Sequence, residues 1–316
     1  MRRVGVAVLV ATALVVPAAW GTNVRRAPAE WETRTPMSQA RTEAAYATAG
    51  DDVYVIGGFV VAVTNSTSVE VYDTAADAWR DGPPLPLAVN HGMAAAAGGE
   101  VYHAGGYAAF LYGATNHLVV LRGGIWTPLA PMPETRAAAG MVALGGRLYV
   151  VGGFSQQGTL ATTTLVYDVA AGTWSTQPGL PTPREHLSVV TDGRYVYALG
   201  GRKGDPATNM ATVERLDPRT GRWTRMAPLL VKRSGHVTSV TSNGLLVTAG
   251  GEYAGGVFDS AEAYDLRRGR RFFLPALEPG RTGFATAAKG TRVYVFSGAG
   301  DTGYLDRTET LDLRAL

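Results

Sequence analysis

A doubled glycine closes a short apolar run at Gly57-Gly58, Gly105-Gly106, Gly152-Gly153, Gly200-Gly201 and Gly250-Gly251, and Ser297-Gly298 stands at the sixth place. Successive copies are 48, 47, 48, 50 and 47 residues apart. Two other landmarks keep step with it. One is an aromatic at Trp31, Trp79, Trp126, Trp174 and Trp223, with Phe272 next. The other is the pair Tyr72-Asp73, Leu121-Arg122, Tyr167-Asp168, Leu216-Asp217, Tyr264-Asp265 and Leu311-Asp312. Three landmarks in phase through six copies describe one supersecondary unit repeated six times. Composition alone would leave 316 residues divisible between one large domain and two average ones; the period selects one array.

Each unit reads as four short strands. The first is rich in small residues, as at residues 44–49, 94–97, 138–143 and 285–288, which suits the innermost strand where six sheets converge on an axis. The second, such as Val53-Tyr54-Val55-Ile56, is apolar on both faces and therefore expected between neighbouring sheets. The third carries the Tyr-Asp step. The fourth carries the tryptophan, whose large area fills the wider gaps farther from the axis. Forty glycines, seventeen prolines and no long amphipathic helix agree with an all-β chain of tight turns. The predicted fold is a six-bladed β-propeller of four-stranded blades. The last copy ends without a fourth strand, while Trp31 is a fourth-strand tryptophan with no blade before it. The amino-terminal strand is thus expected to join the last blade and close the ring, removing an exposed edge.

With an arginine before the first strand (Arg41, Arg136, Arg184, Arg233, Arg281), the doubled glycine, the Tyr-Asp step and the spaced tryptophan, residues 31–316 resemble the kelch-repeat family of the galactose oxidase/kelch-type propeller superfamily. The resemblance implies the fold and leaves function open, because such propellers include enzymes, sugar-handling proteins and protein-binding scaffolds. The recurring arginines are read as structural.

Residues 1–21 have the pattern of a secretory signal: Arg2 and Arg3, an almost wholly apolar run over residues 4–16, then Ala18, Ala19 and Gly21. The run is shorter than the ~20 residues of a spanning helix, so no stable membrane span is expected unless the signal stays uncleaved. The expected organisation is a signal at 1–21, a linker at 22–30 and the propeller at 31–316, in a secreted or extracytoplasmic protein. The formal charge of +3 falls to about +1 without Arg2 and Arg3, which argues against a nucleic-acid partner. The cluster Arg267, Arg268, Arg270 and Arg271 falls at an expected hairpin turn and reads as solvated. With no cysteine, disulfides and lipid-modified cysteine are excluded.

Propeller sites sit on rim loops around the axis, so a functional residue is expected at an equivalent position in several blades. Fourteen residues before each doublet stand Glu43, His91, Ala138, His186, His236 and Gly283, which place three of the five histidines in one ring beside a carboxylate. Glu43, His91, His186 and His236 are the candidate metal ligands, and a divalent metal is the one cofactor the residues leave open. The competing reading is local hydrogen bonding and packing. His103, inside a strand, is expected to be a buried, satisfied histidine, and His117 starts a third strand. Directly after the glycines, Phe59, Tyr107, Phe154, Arg202 and Glu252 form a second ring suited to stacking a sugar or gripping a peptide.

Sialic-acid mutarotases are the nearest enzymatic analogy, but they pair a glutamate after a glycine step with an arginine six residues later; Glu252 fits the first and Phe258 occupies the second. Copper radical oxidases of this fold need a cysteine that is absent here. The aspartate box of sialidases is not matched by residues 168–174, and the Glu-x-x-x-Asp-x-x-x-His run of iron-binding nitrile-specifier proteins is missing. Two function classes stay open. One is a module binding a protein or glycan ligand through loops around the channel. The other is a small-molecule enzyme, of mutarotase or epimerase type or metal-dependent at the axial ring. Oligomeric state is not readable from the chain.

Overall fold

The computed structural model describes residues 29–155 and 158–316. The expected signal and nearly all of the linker lie outside the described residues. Within them the chain forms six four-stranded antiparallel sheets, each laid out from the inside of the ring to the outside. Blade 1, for example, runs Ala45–Ala49, Asp52–Ile56, Val69–Asp73, Ala78–Gly82. No helix among the described residues is long and apolar enough to cross a membrane.

The ring closes as its aromatic spacing predicts. Trp31–Arg34 pairs antiparallel with Thr308–Asp312, setting Trp31 opposite Leu311. The tryptophans then staple blade to blade. Each of these indole N–H groups donates to a main-chain carbonyl at the end of, or just beyond, the preceding blade's outermost strand: Trp31 to Pro275, Trp79 to Thr35, Trp126 to Pro83, Trp174 to Ala130 and Trp223 to Pro178, at 2.8–3.0 Å. Phe272 has no N–H. In its blade Arg271 Nη1 supplies the bond instead, to Pro228 O at 2.6 Å.

The five recurring arginines are wholly buried. Each guanidinium reaches the carbonyl of the residue that opens the glycine turn, for instance Arg41 to Gly57 O at 3.2 Å and Arg184 Nε to Gly200 O at 2.6 Å. Four of them also meet a buried third-strand glutamate: Arg41–Glu70 (2.6 Å), Arg184–Glu214 (2.6 Å), Arg233–Glu262 (3.2 Å) and Arg281–Glu309 (2.7 Å). Arg136 takes Glu134 at 2.5 Å. Buried charge survives only when paired and hydrogen-bonded, and these pairs meet that condition while holding the turn that carries the rim loops. Blade 2 differs, with buried Val89 and Val119 at the two positions.

Candidate functional site

The inner end of each blade contributes one residue to a closed ring of backbone hydrogen bonds around the axis. The N–H of His91 donates to Glu43 O, Ala138 to His91 O, His186 to Ala138 O, Gly235 to His186 O, Gly283 to Gly235 O, and Glu43 to Gly283 O, over 2.7–3.0 Å. All six have left-handed backbones, with φ between +48° and +61°. Glycine belongs there: a Cβ on Gly235 would lie 2.2 Å from Thr282 Oγ1, and one on Gly283 2.3 Å from Glu43 Oε1. Glu43, His91, Ala138 and His186 keep side chains at a conformation that costs a non-glycine residue about 1–2 kcal/mol.

The fifth ring member is Gly235, so His236 is not brought to the axial cluster. Offset counting misplaces it because the hairpin of blade 5 carries one extra residue. Val240 and Leu246 pair around residues 241–245, an odd count, whereas the pairs Ala97–Glu100 and Thr191–Val196 enclose even ones. His236 therefore occupies the place that Leu187 has in blade 4, with its ring against Gly200. Burial, then the charges of Arg233 and Arg184, push its imidazole down to about 3.

Glu43, His91 and His186 do converge, with one ligand atom from each inside a 4.8 Å cluster. His91 Nε2 lies 3.0 Å from His186 Nε2 and 3.4 Å from Glu43 Oε2. The far nitrogens are held by residues that sequence reasoning overlooked. His91 Nδ1 meets Asn90 Oδ1 at 2.5 Å, and the Asn90 amide nitrogen is committed to Asn65 Oδ1 and Ala109 O. His186 Nδ1 meets Glu185 Oε2, while Glu185 Oε1 accepts from Arg202 Nε (2.8 Å) and Gly204 N (3.1 Å). Asn90 Oδ1 and the Glu185 carboxylate are acceptors, so both rings donate from Nδ1 and turn Nε2 lone pairs toward each other. The signal was present in the chain: a polar residue directly precedes each ring histidine.

Arg202 spans blades 4 and 5, pairing with Glu185 and with Glu252, and its Nη2 lies 3.2 Å from His186 Nε2. Burial dominates the local titration. It pushes Glu43 up to about 7 against the pull of Arg202, and pushes His91 down to about 3, aided by Arg202 and opposed by Glu252. His186 is lowered well below the usual range by burial, then by His91 and Arg202. Glu252 is raised by burial, with Arg202 opposing. Below the cluster the innermost strands enclose a channel cavity of about 390 Å³.

Of the second ring, Arg202 and Glu252 sit at the cluster as described. Phe59 and Tyr107 are buried, edge-on to His91 at 5.9 and 5.7 Å. They occupy this place because each bridges back to the residue before the ring, Phe59 to Thr42 and Tyr107 to Asn90. Phe154 makes the same bridge to Ala137 and is half-buried. His103 and His117 form a separate stacked pair inside blade 2, His103 Nδ1 lying 3.0 Å from His117 Nε2.

Comparison with known proteins agrees with the repeat pattern. A model of the KLHDC2/KLHL20/DRC7 kelch-repeats domain matches residues 45–251. Kelch-like protein terF of Aspergillus terreus is 31% identical over 274 residues, which cover 77% of this chain and 59% of that protein. Human Kelch-like protein 23 is 32% identical over 149 residues, 45% of this chain and 26% of that protein. The chain thus spans only part of the length of these relatives. The solved structure of YjhT superposes with a TM-score of 0.77 over 88% of this chain and 96% of its own, at 16% identity, a likeness of fold. The chain belongs to the kelch-repeat propeller family.

Proposed function

We propose that this propeller is a protein-binding module that holds its partner through apolar side chains on the rim bearing Glu43, His91 and His186. Kelch propellers typically serve as protein-binding modules. The observation that carries the reading here is an apolar surface built by the neighbouring loops of blades 1 and 2. Val61 and Val63 project from one, and Phe110, Leu111 and Tyr112 from the other, all exposed, Tyr112 to 70%. Phe110 reaches across to Phe59, ring centroids 5.7 Å apart, so the two loops form one surface. A cluster of exposed large apolar side chains on one rim marks an interaction site, and aromatic side chains are the usual anchors of such interfaces. The buried rings of Phe59 and Tyr107 offer no open face for stacking, so the exposed rings Phe110 and Tyr112 are the contact surface. Export of the module rests on residues 1–21; amino-terminal sequencing of protein recovered outside the cell tests it.

A Phe110→Ser, Tyr112→Ser double variant tests the binding surface. A partner captured by the wild type and then purified is expected to bind the variant about 30-fold more weakly or worse, as loss of two anchors of about 1–2 kcal/mol each requires. Equal affinity for wild type and variant contradicts the proposal.

A further inference from the structure

We infer that Glu43, His91 and His186 form a binding site for one divalent first-row transition ion, of which Zn²⁺ is the type. Three independent features converge on this. The first is the pair of facing lone pairs: with Nδ1 of each ring donating to Asn90 or Glu185, two acceptors confront each other across 3.0 Å, with Glu43 Oε2 at 3.4 Å from one of them. Acceptors repel unless an electrophile lies between them. A tetrahedral zinc with bonds of about 2.0–2.1 Å sets its ligands about 3.3 Å apart; the two separations at His91 Nε2, 3.0 and 3.4 Å, are close to that, and the three atoms lie within 4.8 Å of one another, which a small turn of the Glu43 carboxylate closes.

The second feature is the outer shell. Ligating histidines ordinarily donate their other N–H to a carboxylate or carbonyl, which fixes the ring and raises its basicity. Glu185 and Asn90 do this here, and Glu185 is itself fixed by Arg202 and Gly204 N. Around the cluster three carboxyl groups, Glu43, Glu185 and Glu252, face one guanidinium, Arg202. A dication supplies positive charge where acidic groups outnumber cations. Arg202 Nη2, 3.2 Å from His186 Nε2, is the group that competes with the ion, and its two carboxylate partners give it an alternative seat.

The third feature is that the ring keeps ligand-bearing side chains at strained positions where glycine fits. Gly235 and Gly283 show that the ring accepts glycine, yet the positions bearing Glu43, His91 and His186 retain large side chains at φ of +53°, +51° and +48°. Three protein ligands leave a fourth position open, the form of a site that exchanges a bound group rather than of a closed structural one. Glu43, the least covered of the three, marks the side from which that position is reached.

The test is calorimetric titration of the tag-free, chelator-treated full chain with Zn²⁺, repeated with Co²⁺ while its visible absorption is followed. One ion per chain is expected, with a Co²⁺ spectrum of low-symmetry nitrogen and oxygen coordination. Glu43→Gln, which preserves size, and His186→Ala are each expected to weaken binding by about 100-fold or more, beyond the range of outer-shell losses. His236→Leu is expected to bind as the wild type does. Failure of the wild type to take up a stoichiometric ion overturns the inference and leaves a shared proton between the rings. Undiminished binding by Glu43→Gln overturns it equally, and that variant keeps the test valid if His186→Ala does not fold.

Discussion

Two sets of buried charge divide this propeller, and they obey opposite rules. Away from the axis, arginines such as Arg184 meet buried glutamates and turn carbonyls in blade after blade. Blade 2 replaces the pair by Val89 and Val119. On the axis, Glu43, His91 and His186 come from three blades whose counterparts supply a methyl group or hydrogen, and their facing atoms are acceptors. The first set is complete without a ligand and can be exchanged for valines. The second is asymmetric, strained and incomplete. Repetition marks what the fold needs; departure from repetition marks what one rim is built to hold.

The largest effect expected from this contrast is on the repeated pairs. Arg184→Val leaves Glu214 buried without its cation and should lower stability by about 3–5 kcal/mol. Adding Glu214→Val, which copies blade 2, should recover part of that loss in thermal or denaturant unfolding. If the double variant is no better than the single, the blade 2 comparison is broken.

A smaller effect separates His236 from the axial ring. Its folded value, about 3, is below the ordinary 6.5, so the unfolded chain takes up the proton first as acid is added. Its contribution is intact above about pH 6.5 and is lost as pH falls from there toward 3. By pH 5 the loss is about 2 kcal/mol. His236→Leu, which reproduces Leu187 of blade 4, should narrow the stability difference between pH 8 and pH 5 by that amount. An unchanged difference would show that His236 is solvated.

The smallest effect belongs to Ala138. Relieving its left-handed backbone with Ala138→Gly should stabilise the chain by up to about 1 kcal/mol, since no ligand role opposes the change. A destabilised Ala138→Gly would mean that the ring positions are not strained, and would weaken the distinction drawn for Glu43, His91 and His186.

The blades and their closure were legible in the chain because they depend on local rules repeated in phase: glycines at the turns, small residues near the axis, a tryptophan in each outer strand. Trp31 could be assigned to the last blade from spacing alone. The site was legible only in part. Counting back from the glycines reaches Glu43, His91 and His186, but register depends on hairpin length, and one extra residue in blade 5 puts Gly235 where the count gives His236. Glu185 and Asn90 are not marked by any spacing, because their role is to orient a neighbour, which appears only when the ring nitrogens are placed. The exposure of Phe110, Leu111 and Tyr112 was likewise invisible, since an apolar run in a divergent repeat reads equally as a strand.

The most direct measurement is anomalous diffraction at the zinc edge from crystals of the full chain grown with Zn²⁺. One strong peak is expected between His91 Nε2, His186 Nε2 and Glu43 Oε2, about 2.0–2.2 Å from each, with His236 apart from it. A cluster that stays free of anomalous signal while the rings remain in contact would contradict it.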